Sequence, residues 1–296
     1  MPKAGLIDPL VPANSAKGKL YLVGTPIGNL EDVTLRAVRT LKEVDLIACE
    51  DTRRTQKLLN HYQVRTRTIS YHEHNELMRA PELVIQMEEG TSIALVTDAG
   101  MPVISDPGFR LVHLAIRHNI PVVPVPGASA FVAAVAASGL PVDKFRFLGF
   151  LPRKRSERRK GLEELKTATK TLVFYEAPHR LVEMLKDVLE ILGDRELVVA
   201  REVTKLHEEF LRGKVSAVLE QLKKRRVKGE ITVLVGLPAE QGETPSPAQP
   251  LHQEIARVMQ ERGLDERAAL KVVARARGIS RSQAYRQYQM ERSAKA

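Results

Sequence analysis

The chain has 296 residues, of which 43% are hydrophobic and 28% are charged, and its formal net charge is +10 at pH 7. No apolar stretch approaches the roughly 20 residues that span a bilayer, and a single cysteine excludes an internal disulfide. We therefore expect a cytoplasmic protein with no membrane partner. The positive charge favours a polyanionic partner, because basic side chains release counterions when they neutralise phosphates.

Strand-length apolar runs alternate with helical patterns after a flexible leader over residues 1–18. This rhythm predicts an α/β domain over residues 19–140, with a mostly parallel sheet covered on both faces. The expected strands are Leu20–Val23, Asp45–Ala48, Thr68–Tyr71, Ser92–Val96 and Ile120–Val123. The expected helices are Val33–Lys42, Arg53–His61, Glu76–Met87, Phe109–Arg117 and Ala130–Ala137. Cys49 ends one apolar run, so we expect a buried, inert thiol.

A second group of apolar runs predicts another α/β domain over residues 141–237. Its expected strands are Phe145–Phe150, Thr171–Tyr175, Glu196–Ala200, Glu208–Arg212 and Glu230–Val235. The clearest helix follows Pro178, because the apolar residues between Leu181 and Leu192 share one helical face. We expect Pro178 in the first turn of this helix, where its missing N–H costs no hydrogen bond.

The last sixth of the chain is set apart by residues 238–250, which contain four prolines and no lysine or arginine. This composition predicts an extended linker. Residues 251–296 then predict three short helices that resemble a helix-turn-helix module, the third opened by a capping box from Ser280 to Gln283. Its basic charge favours RNA binding, and a small dimerisation or packing appendage is the alternative.

Basic residues cluster in three places. Residues 153–160 carry six bases and one acid, residues 223–228 carry five bases and no acid, and the chain after Pro250 carries ten bases against five acids. Any one run is typical of a solvated face, but three runs in one chain favour RNA or DNA. Tryptophan is absent and aromatic residues make up only 4% of the chain, so no stacking platform for single strands is evident.

Three loops rich in glycine and proline follow predicted strands: Gly24–Leu30, Asp98–Gly108 and Pro126–Ala130. Open α/β sheets bind their ligands at the carboxyl ends of strands, so these loops are candidates for a ligand site. None carries the dinucleotide or P-loop fingerprint. Ordinary tight turns remain the alternative for each loop taken alone.

In this order and spacing the loops resemble those of the tetrapyrrole methylase family, most closely its branch that methylates the ribose of small-subunit ribosomal RNA. Further motifs carry the likeness: Cys49–Arg53, Ser70–Asn75, Tyr175–Arg180 and Arg201–Lys205. The resemblance spans roughly residues 19–237. It implies two α/β domains with a mixed second sheet, S-adenosylmethionine as methyl donor and a homodimer. It also implies a cytidine 2′-hydroxyl in the decoding centre of 16S rRNA, within the small subunit, as acceptor.

The likeness also implies which residues surround the donor, with no metal required. The expected donor-binding residues are Pro26, Asp98, Gly100, Pro102, Ser105, Gly127, Ser129, Ala130, Ala177, Pro178, Glu230 and Thr232. Amides at the start of the helix after Ser129 favour a carboxylate or phosphate, and the Asp98 carboxylate favours the sulfonium.

A ribose hydroxyl is a poor nucleophile when neutral, so a base near it should help. The candidates for this role are Glu50, Asp51, His72, Glu73, His74, Glu176, Glu202 and Lys205. We expect catalytic roles for His72, Glu73 and Lys205. Residues 72–75 have two alternative interpretations. A metal site is disfavoured because residues 72 and 74 would point to opposite sides if the segment were extended. The segment is otherwise a polar loop without function.

The residues expected to contact RNA phosphates are Arg53, Arg54, Arg153, Lys154, Arg155, Arg180, Arg281 and Arg286. Asp51 with Arg53 is equally well explained as a helix cap. Two other functions remain open at this point: methylation of a small tetrapyrrole or a protein side chain, and a non-catalytic RNA-binding factor in ribosome assembly.

Overall fold

A computed structural model of the chain describes residues 17–238, 251–277 and 279–293. The expected leader therefore lies outside the described residues apart from its last two, and so does the expected linker apart from Pro238. The chain divides into two compact units, Met1–Pro238 and Ala239–Ala296.

The N-terminal half of the first unit holds a five-stranded sheet of order β3-β2-β4-β1-β5, in which every pairing is parallel. Its strands are β1 (Leu20–Val23), β2 (Leu46–Cys49), β3 (Thr68–Ser70), β4 (Ile93–Val96) and β5 (Val122–Val125). Its helices are α1 (Leu35–Glu43), α2 (Thr52–His61), α3 (Glu76–Glu88), α4 (Phe109–Arg117) and α5 (Ala130–Ser138). The parallel sheet expected from the βα rhythm is confirmed.

Separate cores cover the two faces of this sheet, as parallel sheets require. Side chains from α1 and α2, including Leu41 and Leu59, pack on one face with Ile47. Side chains from α3 and α4, including Leu83 and Leu111, pack on the other. Cys49 is fully buried at the end of β2, as expected.

The second half of this unit holds a mixed sheet of order β6-β7-β10-β8-β9, as the family resemblance implies. Strands β6 and β7 pair in parallel, and the other three pairings are antiparallel. Its strands are β6 (Phe145–Phe150), β7 (Thr171–Glu176), β8 (Glu196–Arg201), β9 (Glu209–Lys214) and β10 (Ile231–Val235). Its helices are α6 (Arg155–Glu163), α7 (Leu181–Leu192) and α8 (Val215–Lys223).

One shared core joins the two sheets. Helix α5, which follows the last strand of the first sheet, packs on β7, β8 and β10 of the second sheet. Ala134 and Val135 of α5, together with Ile27 from the loop after β1, are buried against Val198 and Leu234 of the second sheet. This apolar contact fixes the two sheets against each other, so loops from both contribute to one cleft.

Several sequence expectations are wrong in detail. Helices α6 and α8 were not expected. The buried residues of α6 are Arg158 and Leu162, so its sequence shows no apolar stripe. Pro178 lies three residues before α7 and not in its first turn, because a turn in which the Ala177 carbonyl accepts from the amides of Arg180 and Leu181 comes first. Strand β5 begins two residues later than expected, so its loop begins at Pro126.

The second unit contains α9 (Leu251–Arg262), α10 (Glu266–Ala276) and α11 (Arg281–Ser293) around its own core of residues such as Ile255 and Val273. The expected capping box is confirmed. The Ser280 amide donates to Gln283 Oε1 at 3.0 Å, and the Gln283 amide donates to Ser280 Oγ at 3.2 Å. Gly278, in the expected break before α11, lies outside the described residues. Across the described ranges, no helix combines the length and apolarity needed to cross a bilayer.

Candidate active site

The three glycine- and proline-rich loops converge at the carboxyl ends of β4, β1 and β5, which are neighbours in the sheet. Thr25 and Gly100 exchange backbone hydrogen bonds of 2.9 and 3.1 Å, and the Thr25 hydroxyl donates to the Thr97 carbonyl at 3.1 Å. A Cβ atom on Gly127 would lie 2.8 Å from backbone atoms of Gly24. Glycine at both positions is therefore what allows the first and third loops to touch.

The central loop, residues 97–108, has an unusual backbone. Val103 and Ser105 have φ values of +76° and +63°, in the left-handed region that a branched residue such as valine rarely adopts. Gly108 has a φ of +138°, and a Cβ there would lie 2.7 Å from a methyl of Leu95. Backbone strain of this kind persists where the surrounding structure determines it, and it is typical of ligand sites.

Beside these loops lies a cleft of about 360 Å³, within the size range of small-molecule sites. Both sheets contribute to its lining, which is largely apolar with a few polar groups. The lining residues are Ile27, Ala99, Gly100, Met101, Ile104, Ser105, Asp106, Ser129, Ala130, Phe150, Tyr175, Glu176, Ala177, Pro178, Val203, Gly229, Glu230, Ile231 and Thr232.

Eight of the twelve expected donor-binding residues line this cleft: Gly100, Ser105, Ser129, Ala130, Ala177, Pro178, Glu230 and Thr232. The other four, Pro26, Asp98, Pro102 and Gly127, belong to the same loops but are not among the lining residues. The contacts of Asp98 are made within the protein. Its carboxylate accepts from the Asp51 amide at 3.3 Å and from Arg54 Nη1 at 2.9 Å.

Glu176 at the end of β7 is a buried acid at the wall of the cleft. Its Oε1 accepts from the Ala177 amide at 2.8 Å and lies 3.2 Å from Nε of Arg180. Its Oε2 is buried and has no hydrogen-bond partner among the described residues. Burial raises the pKa of Glu176, against the opposing effects of the Ala177 amide and the Arg180 charge.

Asp106 also lines the cleft, and two further acids, Glu50 and Asp98, lie near enough to affect its ionisation. Burial raises the pKa of Asp106 from 3.8 to about 7, and the negative charges of Glu50 and Asp98 add to this shift. Burial and the Asp98 charge also raise the pKa of Glu50. The Asp106 carboxylate has no hydrogen bond or ion pair with any described residue, so it faces the cleft uncompensated.

Lys205 forms ion pairs with Glu202 at 2.8 Å and with Glu230 at 3.1 Å. Partial burial opposes its charge, but the hydrogen bonds to these two acids outweigh it and raise the pKa of Lys205. Its aliphatic stem packs on Gly28, where an added Cβ would lie 2.3 Å away. Lys205 is therefore a fixed ammonium ion beside the cleft, and at neutral pH it cannot accept a proton.

The segment His72–Asn75 forms a turn, so the argument against a metal site that holds for an extended segment does not apply. Their rings lie 5.9 Å apart, and His72 Nε2 is 3.2 Å from the Asn75 side-chain amide. Glu73 and His74 are largely exposed. None of these residues lines the cleft, although Glu73 is close enough to affect the pKa of Glu50. Within the described ranges no group of three or more potential ligands is arranged for a metal.

The residues expected to bind RNA fall into three groups. Arg53, Arg153, Arg281 and Arg286 are exposed, and so is Lys154, which pairs with Glu157 at 3.4 Å. Arg180 is largely buried, and its guanidinium donates to the carbonyls of Leu151 and Pro152 at 2.7 and 3.2 Å.

Arg54 and Arg155 are exposed but paired, with Asp98 and Asp187 respectively. Asp51 accepts from the amide of Arg53 at 2.8 Å, so the helix-cap explanation of this pair is confirmed.

Residues 153–160 do not form the continuous basic surface that their composition suggests. Arg158 is buried and donates twice to Oδ2 of Asp187, at 2.8 Å from Nε and 2.6 Å from Nη2. Arg159 donates to both Asp187 and Glu190. These two arginines therefore stabilise the packing of α6 on α7 through ion pairs.

The comparisons with known proteins agree with this geometry. Residues 19–219 match the family model described as tetrapyrrole (corrin/porphyrin) methylases, which is more than half of the chain. The chain belongs to the tetrapyrrole methylase family. A relative from Halalkalibacterium halodurans named ribosomal RNA small subunit methyltransferase I is 49% identical over 282 residues, which cover 93% of this chain and 96% of the relative.

A relative of the same name from Thermotoga maritima is 54% identical over 218 residues, covering 74% of this chain and 98% of its own length. Among solved structures, that of a cobalt precorrin-4 methyltransferase from cobalamin biosynthesis has a TM-score of 0.57 at 20% identity. It covers 77% of this chain and 98% of that one, and it shows that the two share the methylase fold.

The tetrapyrrole methylases are S-adenosylmethionine-dependent enzymes, and the residues of the cleft suit this donor. The unpartnered Oε2 of Glu176 suits a donor group such as an ammonium or a ribose hydroxyl. Ser129 is the N-cap of α5 at the cleft, and its hydroxyl makes no capping bond, so the amides of Ser129 and Ala130 suit a carboxylate. The apolar walls suit the adenosine and thioether parts.

Sequence reasoning missed several lining residues, among them Met101, Ile104, Phe150 and Tyr175, and one acid, Asp106. The signal for Asp106 was present, because it stands in the same loop motif as Asp98. The aromatic residues gave no local signal, since their placement depends on how the second sheet packs against the first.

Proposed function

We propose that this protein methylates small-subunit ribosomal RNA at the 2′-hydroxyl of a cytidine in the decoding centre, with S-adenosylmethionine as donor. The observation that carries the proposal is the cleft at which the three loops meet the second sheet, in a chain 49% identical to a relative named ribosomal RNA small subunit methyltransferase I. We expect it to act in the cytoplasm, where small subunits are assembled.

The bound donor supplies a methyl group made electrophilic by its sulfonium. The chain holds and orients the two reactants. Ser129 and Ala130 present amides for the donor's carboxylate, and Glu176 accepts from one of its N–H or O–H groups. Positioning of this kind lowers the barrier strongly, because it removes the entropy cost of bringing two reactants into line.

Asp106 is the proton acceptor that the cleft supports best. It lines the cleft, it has no partner among the described residues, and burial raises its pKa to about 7, which is suitable for a general base near neutral pH. When the 2′-oxygen bonds the methyl carbon, the methyl–sulfur bond would break, the thioether S-adenosylhomocysteine would leave, and the Asp106 carboxylate would take the hydroxyl proton. Lys205 keeps its proton and acts instead by holding Glu202 and Glu230, while His72 and Glu73 remain proposed contacts on the acceptor side.

The test is incubation of the purified protein with methyl-labelled donor and three acceptors: small ribosomal subunits, their extracted RNA, and a porphyrin precursor. We expect the label in 2′-O-methylcytidine, identified by nucleoside digestion and mass spectrometry. Label only in the tetrapyrrole would overturn the proposal. RNA binding without donor binding, measured by calorimetry at millimolar donor, would instead indicate a non-catalytic assembly factor.

We also propose that the protein is a homodimer through α3 and α4. These two packed helices expose large apolar side chains, each with more than half of its surface accessible: Leu77, Met78 and Ile85 on α3, and Phe109 and Ile116 on α4. Apolar surface of this extent is typical of an interface.

Light scattering after size-exclusion chromatography tests the dimer. We expect Met78→Glu with Phe109→Glu to convert a dimer into a monomer. The control is Leu35→Glu, which alters an even more exposed apolar residue on α1, on the other face of the sheet. A wild-type monomer, or a double variant that remains dimeric, contradicts this interface.

A further inference from the structure

A second groove lies directly beside the cleft. Pro178 and Gly229 line both the groove and the cleft, so the two are continuous. Three cationic side chains, those of Arg225, Arg226 and Lys228, line the groove together with His179. They come from the second basic run of the sequence and from the turn before α7.

The cations of the groove differ in whether they already have partners. Arg225 makes a two-pronged ion pair with Glu209, at 2.8 and 2.9 Å. Arg226 and Lys228 are exposed, and neither side chain has a hydrogen bond or ion pair within the described residues. Two uncompensated positive charges thus stand at the mouth of the cleft.

The backbone that carries these charges is held in place. Arg201 donates to the Lys228 carbonyl at 3.3 Å, and the Glu230 amide donates to Oε1 of Glu202 at 2.9 Å. Val227 packs against the core of the second sheet. These contacts fix the backbone of the groove, so binding an anion orders only the exposed side chains of Arg226 and Lys228.

The charges of the two cavities are sorted by sign. Glu176, Asp106 and Glu230 line the cleft, and although Glu176 and Glu230 are paired with Arg180 and Lys205, no basic residue is among its described lining, so it favours a cationic donor over phosphate. Arg226 and Lys228 line the adjoining groove. An acceptor nucleotide within an RNA chain is joined to its neighbours by phosphates. These phosphates must lie outside the acidic cleft, on a surface that adjoins it.

We propose that this groove binds the RNA backbone immediately beside the methylated nucleotide, with Arg226 and Lys228 contacting its phosphates. The proposal rests on the function proposed above and names the surface that serves it. Val182 and Val227 also line the groove and give it an apolar part.

The test uses the full chain and compares two double variants from the same basic run. Arg226→Ala with Lys228→Ala removes the two charges of the groove. Lys223→Ala with Lys224→Ala removes two charges that do not line it. Binding of a labelled decoding-region RNA is measured by fluorescence anisotropy at several salt concentrations, and donor binding by calorimetry.

We expect the groove variant to bind RNA about tenfold more weakly and to lose about 1.4 to 1.8 units of the slope of log K against log salt, since each lost phosphate contact removes roughly 0.7 to 0.9. Its donor affinity should equal that of the wild type, which also shows that it is folded. We expect the control variant to lose less than half of that slope.

Equal weakening in both double variants would overturn the groove, because the effect would then be unspecific charge. A groove variant with the RNA affinity and salt dependence of the wild type would also overturn the groove. In that case the proposed function still stands if the wild type methylates RNA. A wild-type protein that methylates no RNA overturns the function itself and the groove with it, so the two failures are distinguishable.

Discussion

Replacing Asp106 with asparagine should make the protein more stable and much less active. The pKa of Asp106 rises from 3.8 to about 7 in the fold, so its ionised form is disfavoured there. About three pKa units correspond to about 4 kcal/mol. Because the cleft is open to solvent, which screens the charge, we expect about 1–2 kcal/mol of this to be realised.

The sign of the effect follows from the direction of the shift. Because the pKa of Asp106 is raised in the folded state, this group costs no stability below about pH 4. As the pH rises towards 7, the free energy of unfolding of the wild type falls. Asparagine carries no charge, so Asp106→Asn should match the wild type near pH 4 and exceed its unfolding free energy by about 1–2 kcal/mol at pH 8. Urea denaturation at the two pH values measures this difference.

The same variant should lower kcat by about 10²- to 10⁴-fold, the usual contribution of a general base. The wild-type rate should rise with pH through about 7, whereas the residual rate of Asp106→Asn should lack that inflection. Glu50→Gln is the matched control. It removes a neighbouring negative charge and should move the inflection to lower pH without abolishing activity. A rate for Asp106→Asn within twofold of wild type, or an inflection that Glu50→Gln leaves in place, refutes the role of Asp106.

Three further changes test other parts of the structure. Asp187→Ala strands the buried Arg158 guanidinium and should cost about 3–5 kcal/mol in urea denaturation; a loss below 1 kcal/mol would show that the pair is not needed. Gly127→Ala places a Cβ 2.8 Å from Gly24, so it should cost about 1–3 kcal/mol in thermal denaturation and weaken donor binding; an unchanged midpoint contradicts the close approach. Glu176→Gln should weaken donor binding about tenfold or more by calorimetry, since a charged acceptor is lost; equal affinity would show that this acid does not contact the donor.

The fold was largely predictable because its signals are local. Apolar runs such as Leu20–Val23 are buried strands, and the glycines and prolines of residues 97–108 exclude both helix and strand, so the loop was evident. Errors arose where a local signal had two meanings. The composition of residues 153–160 indicated solvated charge, but the sequence does not show that Arg158 meets Asp187 about thirty residues away.

The sequence by itself determined the βα order, the three loops and the family resemblance, because these depend on residues adjacent in the chain. Only the tertiary structure decided which ionisable groups face one another. Glu73 and Asp106 are both acids in loops after strands, yet packing leaves Glu73 largely exposed and turns Asp106 into the cleft beside Glu50 and Asp98. The function of an acid depends on its surroundings, since burial and neighbouring charge set its pKa, and contacts between distant segments create those surroundings.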